Sequence, residues 1–211
     1  MLYTTLFFLP GAAGHFISRC LSLLPDVCCF VNPATNDIPR SLEEKVELFS
    51  YKPWHSSDQK SWIKFENQLP VYLDLYKHTN IAQTGNKIFH RFFHPSSSNM
   101  SSLDLRVEQA SKLTMCVDTT RCFKWVVANS CWKNHGANGI TIELLENEKK
   151  LLSDPSVVRV DLSKIVSNRQ TFLEEFYRVA AILNHDVVPI DHALLRLWRE
   201  WKMTTYSVVI V

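Results

Sequence analysis

Glycine is scarce in this sequence: five of its 211 residues are glycine, and two of the five, Gly11 and Gly14, lie near the N-terminus. Glycine adopts backbone conformations that a side chain forbids, and tight turns use this freedom. The segment around Gly11 and Gly14 is therefore predicted to form a tight turn. This turn needs backbone conformations that most of the chain does not use.

Cysteine pairs with the spacing of metal ligands are also missing. None of the six cysteines belongs to a CxxC pair, and Cys28 and Cys29 are adjacent. This spacing excludes the common zinc sites and gives no disulfide framework. We expect reduced, mostly buried thiols, a cytoplasmic type of compartment and no bound metal.

Neither the charge nor the hydropathy of the chain points to a nucleic acid or a membrane. The 23 basic and 21 acidic residues are spread along the sequence and leave a net charge of +2. The apolar run at 2–9 is too short to span a bilayer, and the first cation, Arg19, follows it instead of preceding it as in a signal peptide. We therefore expect a buried strand at 2–9 and a single domain over 1–211.

Strand-like and helix-like segments alternate along the chain. Apolar runs predict strands at 2–9, 86–94, 112–118 and 156–162. Helical periodicity and helix-capping residues predict helices at 14–24, 41–50, 119–132, 140–152, 168–183 and 190–202. This alternation is typical of an α/β domain with a mostly parallel central sheet, in which ligands bind beyond the carboxyl ends of the strands. Three informative segments follow predicted strands: the 10–15 turn, His94 and residues 118–121.

Several residues are predicted to be structural. Asp118, at a strand end, is interpreted as a cap of the following helix, with orientation of a histidine or an arginine as the alternative. Asp161, in "VDL", is interpreted as a structural residue. Trp198 and Trp201 are about one helical turn apart and are predicted to lie in the core. In the helix at 119–132, one face is predicted to carry Phe123, Val126, Val127 and Ser130.

The 10–15 turn is a candidate phosphate site. A helix that begins directly after a glycine turn presents backbone N–H groups, and its dipole favours an anion there. The residues predicted to form this site are Gly11, Ala12, Ala13, Gly14, His15 and Phe16. The alternative is a tight turn in which the glycines serve packing alone. The turn is not a Walker A sequence, since His15 takes the lysine position and Phe16 follows where a magnesium-binding Ser or Thr would stand.

Three segments together resemble the sulfotransferase family. They are "FLPGAAGHFISRCL" at 8–21, "MCVDTTRCFKWVVANSCW" at 115–132 and "VVRVDLSKIVSNRQTFLEEFYRVAAILN" at 157–184. They occur in the family's order and cover roughly half of the chain. The likeness extends to short sulfotransferase-like proteins of bacteria and their phages.

The resemblance implies a P-loop NTPase-like three-layer fold with a mostly parallel central sheet. It also implies the sulfuryl donor 3'-phosphoadenosine 5'-phosphosulfate (PAPS), used without metal, and a hydroxyl or amine acceptor on a small molecule or glycan. Arg121 would bind the 3'-phosphate of the nucleotide, with Asn129 or Ser130 as a further ligand. The protein would work in the cytoplasm, or in the host cytoplasm or virion if a phage encodes it.

Histidines are the candidate catalytic residues, because an imidazole titrates near neutral pH. The family places a histidine just after the strand that precedes the acceptor pocket, and "RFFHP" puts His94 there as the candidate base. His90, on the same face by strand alternation, is the competing candidate. His15 is predicted to donate a hydrogen bond to a sulfate or bridging oxygen in place of the missing lysine.

Two other functions remain open. The family's lysine and hydroxyl residues are missing from the 10–15 turn, and its C-terminal glycine-rich loop is absent. These departures fit a catalytically inactive fold used as a structural or interaction module, for example in a viral particle. The apolar end "YSVVIV" at 206–211 could then add a strand to a partner or to a second copy of the chain. A magnesium-dependent phosphoryl transferase is the third interpretation.

Overall fold

The computed structural model describes residues 2–24, 42, 88–97, 100, 111–132, 139–184 and 189–205. The predicted helix at 41–50, apart from Leu42, and the C-terminal segment 206–211 lie outside the described residues.

Four parallel strands form the sheet of the described chain. They are β1 (Leu2–Phe7), β2 (Ile88–Phe93), β3 (Ser111–Asp118) and β4 (Val158–Asp161). Their order is β2-β1-β3-β4. Phe7 lies opposite both Phe93 and Cys116, and Asp118 lies opposite Asp161, so the carboxyl ends of all four strands share one edge. The predicted α/β class with a parallel sheet is confirmed.

The strand order places the topological switch point at β1. After β1, the chain adds β2 on one side, and it then adds β3 and β4 on the other side. In open parallel sheets, the crevice used by ligands lies beyond the carboxyl ends of the strands at such a point. The segment that leaves β1 at this point is the 10–15 turn.

The six helices of the described chain connect and cover these strands. They are α1 (Gly14–Ser22), α2 (Phe123–Trp132), α3 (Ile142–Ser153), α4 (Leu162–Ser167), α5 (Arg169–Ile182) and α6 (Asp191–Thr204). The short helix α4 was not predicted, because Asp161 ends β4 and also caps α4 by accepting the Ser163 N–H at 3.0 Å. Helix α2 begins four residues later than predicted, because residues 119–122 form a turn closed by the Cys122 N–H on the Thr119 carbonyl.

Helices pack on both faces of the sheet. Leu6 and Met115 belong to a large apolar cluster with α1, α5 and α6, in which Phe16 stacks on Trp201 at 4.3 Å between ring centroids. Their strand neighbours Phe7 and Cys116 belong to a second cluster that includes residues of α3. Because successive strand residues point to opposite faces, these clusters lie on opposite sides of the sheet. The arrangement is compatible with a three-layer α/β fold.

The core confirms several predicted positions and corrects one. Trp198 and Trp201 are buried, as predicted. In α2, two of the residues predicted to share one face, Phe123 and Val127, are more than a third exposed. The buried face is formed instead by Trp125, Val126, Asn129 and Ser130. Asn129 and Ser130 are buried although they are polar, because this face of α2 packs against the 10–15 turn, as described below.

Three of the cysteines are buried thiols. Cys20, Cys116 and Cys122 form no disulfide, and burial raises the pKa of the Cys122 thiol to about 12. Among the described residues, no group of three or more His, Cys, Asp or Glu side chains is arranged to hold a metal ion. In the same part of the chain, no helix combines the length and apolar character that a membrane crossing requires.

Candidate functional site

The 10–15 turn connects β1 to α1 and sets the start of α1 at the carboxyl edge of the sheet. The Ala12 N–H closes the turn on the Leu9 carbonyl at 2.9 Å. Gly11 and Ala13 both have positive φ, at 84° and 60°. Ala13 is the N-cap residue but has no side-chain group to cap α1, and the first turn of α1 contains no acidic residue. The positive end of the helix dipole is therefore not neutralised by a carboxylate of its own first turn.

The conformation of Ala13 is unusual for a residue with a side chain. A left-handed backbone costs a non-glycine residue roughly 1–2 kcal/mol, and such outliers cluster at functional sites. Turns that combine left-handed and right-handed backbone conformations can direct N–H groups towards one point and form concavities that bind anions. The positive φ of Gly11 and Ala13 is compatible with such a site, although the Ala12 N–H between them is bonded to the Leu9 carbonyl.

Gly11 lies directly against α2. A Cβ atom on Gly11 would be 2.5 Å from the Val126 carbonyl oxygen and 2.7 Å from the Ser130 nitrogen. The Ser130 hydroxyl is buried and has no hydrogen-bond partner within the described residues. Asn129 donates from Nδ2 to the Trp125 carbonyl at 2.9 Å. Of the two residues predicted as alternatives, Ser130 lies with its backbone beside Gly11.

Phe8 closes one side of the turn. Its ring is buried, and a Cβ atom on Gly14 would lie 2.1 Å from the ring. The ring fills the space into which a side chain at Gly14 would project. Gly14 is therefore required for packing whether or not the turn binds an anion.

Two of the three candidate catalytic histidines contact the same ring. The centroids of His15 and His94 lie 5.4 Å and 5.0 Å from that of Phe8, both in edge-on geometry. His90 occupies a different level of the sheet, because it pairs with Thr4 in the interior of β1. At about 3.3 Å per residue, its backbone lies roughly 13 Å from that of His94. The structure thus brings His15 and His94 together at the sheet edge.

A backbone contact fixes the tautomer of His94. Its Nδ1 lies 2.9 Å from the Phe8 carbonyl oxygen, which can only accept a hydrogen bond. The proton of the neutral imidazole is therefore on Nδ1, and Nε2 carries the lone pair. This is the tautomer in which Nε2 can act as a general base.

Arg121 makes its ion pair away from the 10–15 turn. Its guanidinium lies 3.8 Å from Asp161, and 78% of its side chain is exposed. Asp161 ends β4, which lies on the side of β3 opposite β1. Asp118 accepts the Thr120 N–H at 3.0 Å within the turn that precedes α2, so it does not cap that helix as predicted.

Sequence reasoning missed the contribution of α3 to this edge. Three α3 side chains reach strand ends: Glu143 accepts the Ser97 N–H, Asn147 donates to the Pro95 carbonyl and Glu148 accepts from Thr119. The sequence shows only an amphipathic helix with an acidic start. No spacing rule links it to segments that lie about fifty and thirty residues earlier in the chain.

Glu148 gives a pH-dependent prediction. Burial raises the pKa of its carboxyl group, although hydrogen bonds from the Thr119 hydroxyl and N–H, at 2.8 and 3.2 Å, oppose the rise. A raised folded-state pKa contributes stability that is complete below the unfolded value and is lost as pH rises through the folded value. Glu148→Gln keeps an acceptor oxygen for Thr119 but cannot ionise. In urea unfolding between pH 4 and 8, we expect the free energy of unfolding of Glu148→Gln to increase relative to that of the wild type as pH rises.

The control for this prediction is Glu146→Gln, which removes one negative charge from an exposed position of the same helix. If Glu148→Gln and the wild type keep a constant difference in unfolding free energy across this pH range, the prediction is wrong.

No protein-family model and no curated protein sequence matches this chain. The class that the fold defines is an α/β protein whose parallel sheet has its switch point at the 10–15 turn. The interpretation of what the site binds therefore depends on the chemistry of its residues.

Proposed function

We propose that the chain binds the phosphate groups of PAPS at the 10–15 turn and transfers the sulfuryl group to a hydroxyl or amine of a small molecule or glycan. The fold would then be a P-loop NTPase-like, sulfotransferase-like one. The observation that carries the proposal is the hydrogen bond from His94 Nδ1 to the Phe8 carbonyl, because it fixes a basic nitrogen at the residue that leads into the turn. PAPS supplies the activated sulfuryl group when bound.

His94 is the proposed general base. With Nδ1–H held by the Phe8 carbonyl, Nε2 would accept the proton of the acceptor hydroxyl or amine as the acceptor atom bonds to sulfur and the bond from sulfur to the nucleotide phosphate oxygen breaks. His15, whose ring also contacts Phe8, is proposed to donate a hydrogen bond to the oxygen of the leaving nucleotide. Both imidazoles pack against one buried aromatic ring, which would lower the cost of orienting them for these roles.

The residues of the turn fit an anion. The start of α1 has no acidic neighbour in its first turn, and the backbone at Gly11 and Ala13 has the positive φ of an anion-binding concavity. Ser130 lies with its backbone beside Gly11, and its buried hydroxyl, which has no hydrogen-bond partner within the described chain, is the proposed donor to a phosphate oxygen. No magnesium ligand is required for these contacts.

Arg121 must exchange partners under this proposal. Its exposed pair with Asp161 is of a kind that contributes at most about 1 kcal/mol. A charge-assisted hydrogen bond to phosphate contributes about 1.5–3 kcal/mol. The exchange is therefore favourable if the guanidinium reaches the 3'-phosphate.

Calorimetric titration with adenosine 3',5'-bisphosphate tests the proposal. We expect saturable binding by the wild type that is unchanged by EDTA. Ala13→Asp places a carboxylate at the start of α1 in a backbone conformation that Asp tolerates, so binding should weaken at least about tenfold. Ala13→Asn has the same shape without the charge and should bind like the wild type. An absence of binding at millimolar nucleotide would remove the proposal.

Two further arms of the same titration separate the alternatives. Arg121→Ala should weaken binding about tenfold or more, whereas Arg199→Ala, on the exposed side of α6, should not. Unchanged binding by Arg121→Ala would remove that residue from the site. Preferential binding of ATP with Mg²⁺ would favour the phosphoryl transferase interpretation.

A catalytically inactive structural or interaction module is the second candidate. The packing of Gly11 on α2 and of Phe8 on Gly14 favours it, because both glycines have a structural reason that needs no anion. This candidate predicts no nucleotide binding and a stable assembly without nucleotide in light scattering. It also predicts that the Ala13→Asp variant assembles like the wild type.

A further inference from the structure

We infer that α3 positions the candidate base, and that Asn147 is the residue through which it acts. This inference rests on the proposed role of His94. It adds a positioning residue that neither the sequence motifs nor the predicted site contains. The juxtaposition that carries it is the contact of α3 with the ends of both strands that flank β1.

The segment after β2 is held from two directions. On one side, His94 donates from Nδ1 to the Phe8 carbonyl at the end of β1. On the other side, Asn147 Nδ2 donates to the Pro95 carbonyl at 2.8 Å, and the Ser97 N–H donates to Glu143 at 2.8 Å. Glu143 and Asn147 are one helical turn apart on the same face of α3. They therefore hold two backbone groups of a single short loop.

Of the two α3 contacts with this loop, that of Asn147 lies nearer to His94 in sequence. Pro95 is buried, and a buried carbonyl without a donor is costly. Asn147 supplies that donor one residue beyond His94. The Ser96 N–H also closes on the His94 carbonyl at 2.8 Å, so a shift at Pro95 is transmitted directly to the His94 backbone.

The next residue of α3 fixes the other flanking strand. Glu148 accepts hydrogen bonds from the Thr119 N–H and hydroxyl, directly after β3. The same helix thus sets the ends of β2 and β3 on either side of β1 and its turn. A rigid helix with these contacts holds His94 in register with the turn.

The test is the Asn147→Asp variant, which sets a carboxylate oxygen against the Pro95 carbonyl. We expect the ¹⁵N signals of the His94 ring, read by NMR on the full chain, to lose the pattern of a single Nδ1–H tautomer. If His94 is the base, kcat should also fall about tenfold or more while binding of adenosine 3',5'-bisphosphate is unchanged, because a shift of about 1 Å can cost a hundredfold in rate.

The controls separate this inference from the proposed function. Lys149→Gln makes the same charge change on the exposed side of α3, and the His192 signals report whether the fold is intact. Should Asn147→Asp not fold, Glu143→Ala removes the contact with Ser97 at an exposed position and should shift the His94 signals in the same direction, by less. His94 signals identical to wild type in a folded variant would overturn the inference. If the wild type does not bind adenosine 3',5'-bisphosphate, that result would instead contradict only the proposed function.

Discussion

Replacement of Gly11 by alanine is expected to destabilise the protein by about 2–5 kcal/mol. Gly11 has φ of 84°, which costs an alanine roughly 1–2 kcal/mol. The new Cβ would also lie 2.5 Å from the Val126 carbonyl oxygen and 2.7 Å from the Ser130 nitrogen. These are backbone atoms of a helix and cannot rotate away, so the turn itself must move. Urea unfolding of the two proteins measures the loss.

A second glycine provides the control for this result. At Gly14 the clash of a new Cβ is with the Phe8 side chain, at 2.1 Å, and φ is not positive. Phe8→Leu should therefore recover part of the stability lost in Gly14→Ala. Ser130→Ala should not rescue Gly11→Ala, because the clash there is with backbone atoms. Gly11→Ala within about 0.5 kcal/mol of wild type would contradict the packing of the turn on α2.

The strands were predictable because each buried strand is a continuous apolar run, whereas their order in the sheet was not predicted. Residues 2–9 and 112–118 identify β1 and β3 to within two residues at each end. The buried face of α2 was not predictable from the same rules. Its apolar residues Phe123 and Val127 are exposed, whereas Asn129 and Ser130 are buried. Packing against a glycine turn requires small or backbone-bonded polar residues, and a hydropathy pattern does not record that requirement.

Some features of the candidate site were likewise predictable from the sequence, and others were not. The 10–15 turn and His94 follow strands, so their meeting at one edge of a parallel sheet was predictable from the strand assignment. The role of Phe8 was not, because a phenylalanine at a strand end is indistinguishable by sequence from any core residue. The contacts of α3 were not predictable either, since the hydrogen bonds of Asn147 and Glu148 with distant backbone groups leave no local sequence pattern.

Replacement of His94 by asparagine is expected to lower kcat for sulfuryl transfer by about 10²–10⁴-fold, the usual contribution of general acid–base catalysis. The asparagine amide can still donate to the Phe8 carbonyl, as His94 Nδ1 does now, but it supplies no basic nitrogen. Transfer from radiolabelled PAPS to 4-nitrophenol and to an amine acceptor measures the effect. Binding of adenosine 3',5'-bisphosphate should not change, because the backbone of the 10–15 turn is untouched.

The comparison with other histidines makes this result specific. His192→Asn changes an exposed residue of α6 and should leave kcat as it is. His15→Asn should cost less than His94→Asn, because an amide can still donate the hydrogen bond proposed for His15. The limb of the pH–rate profile in which activity rises as the base loses its proton should vanish in His94→Asn alone. A His94→Asn variant with wild-type kcat and an unchanged pH profile would show that the imidazole is present to pack against Phe8 rather than to accept a proton.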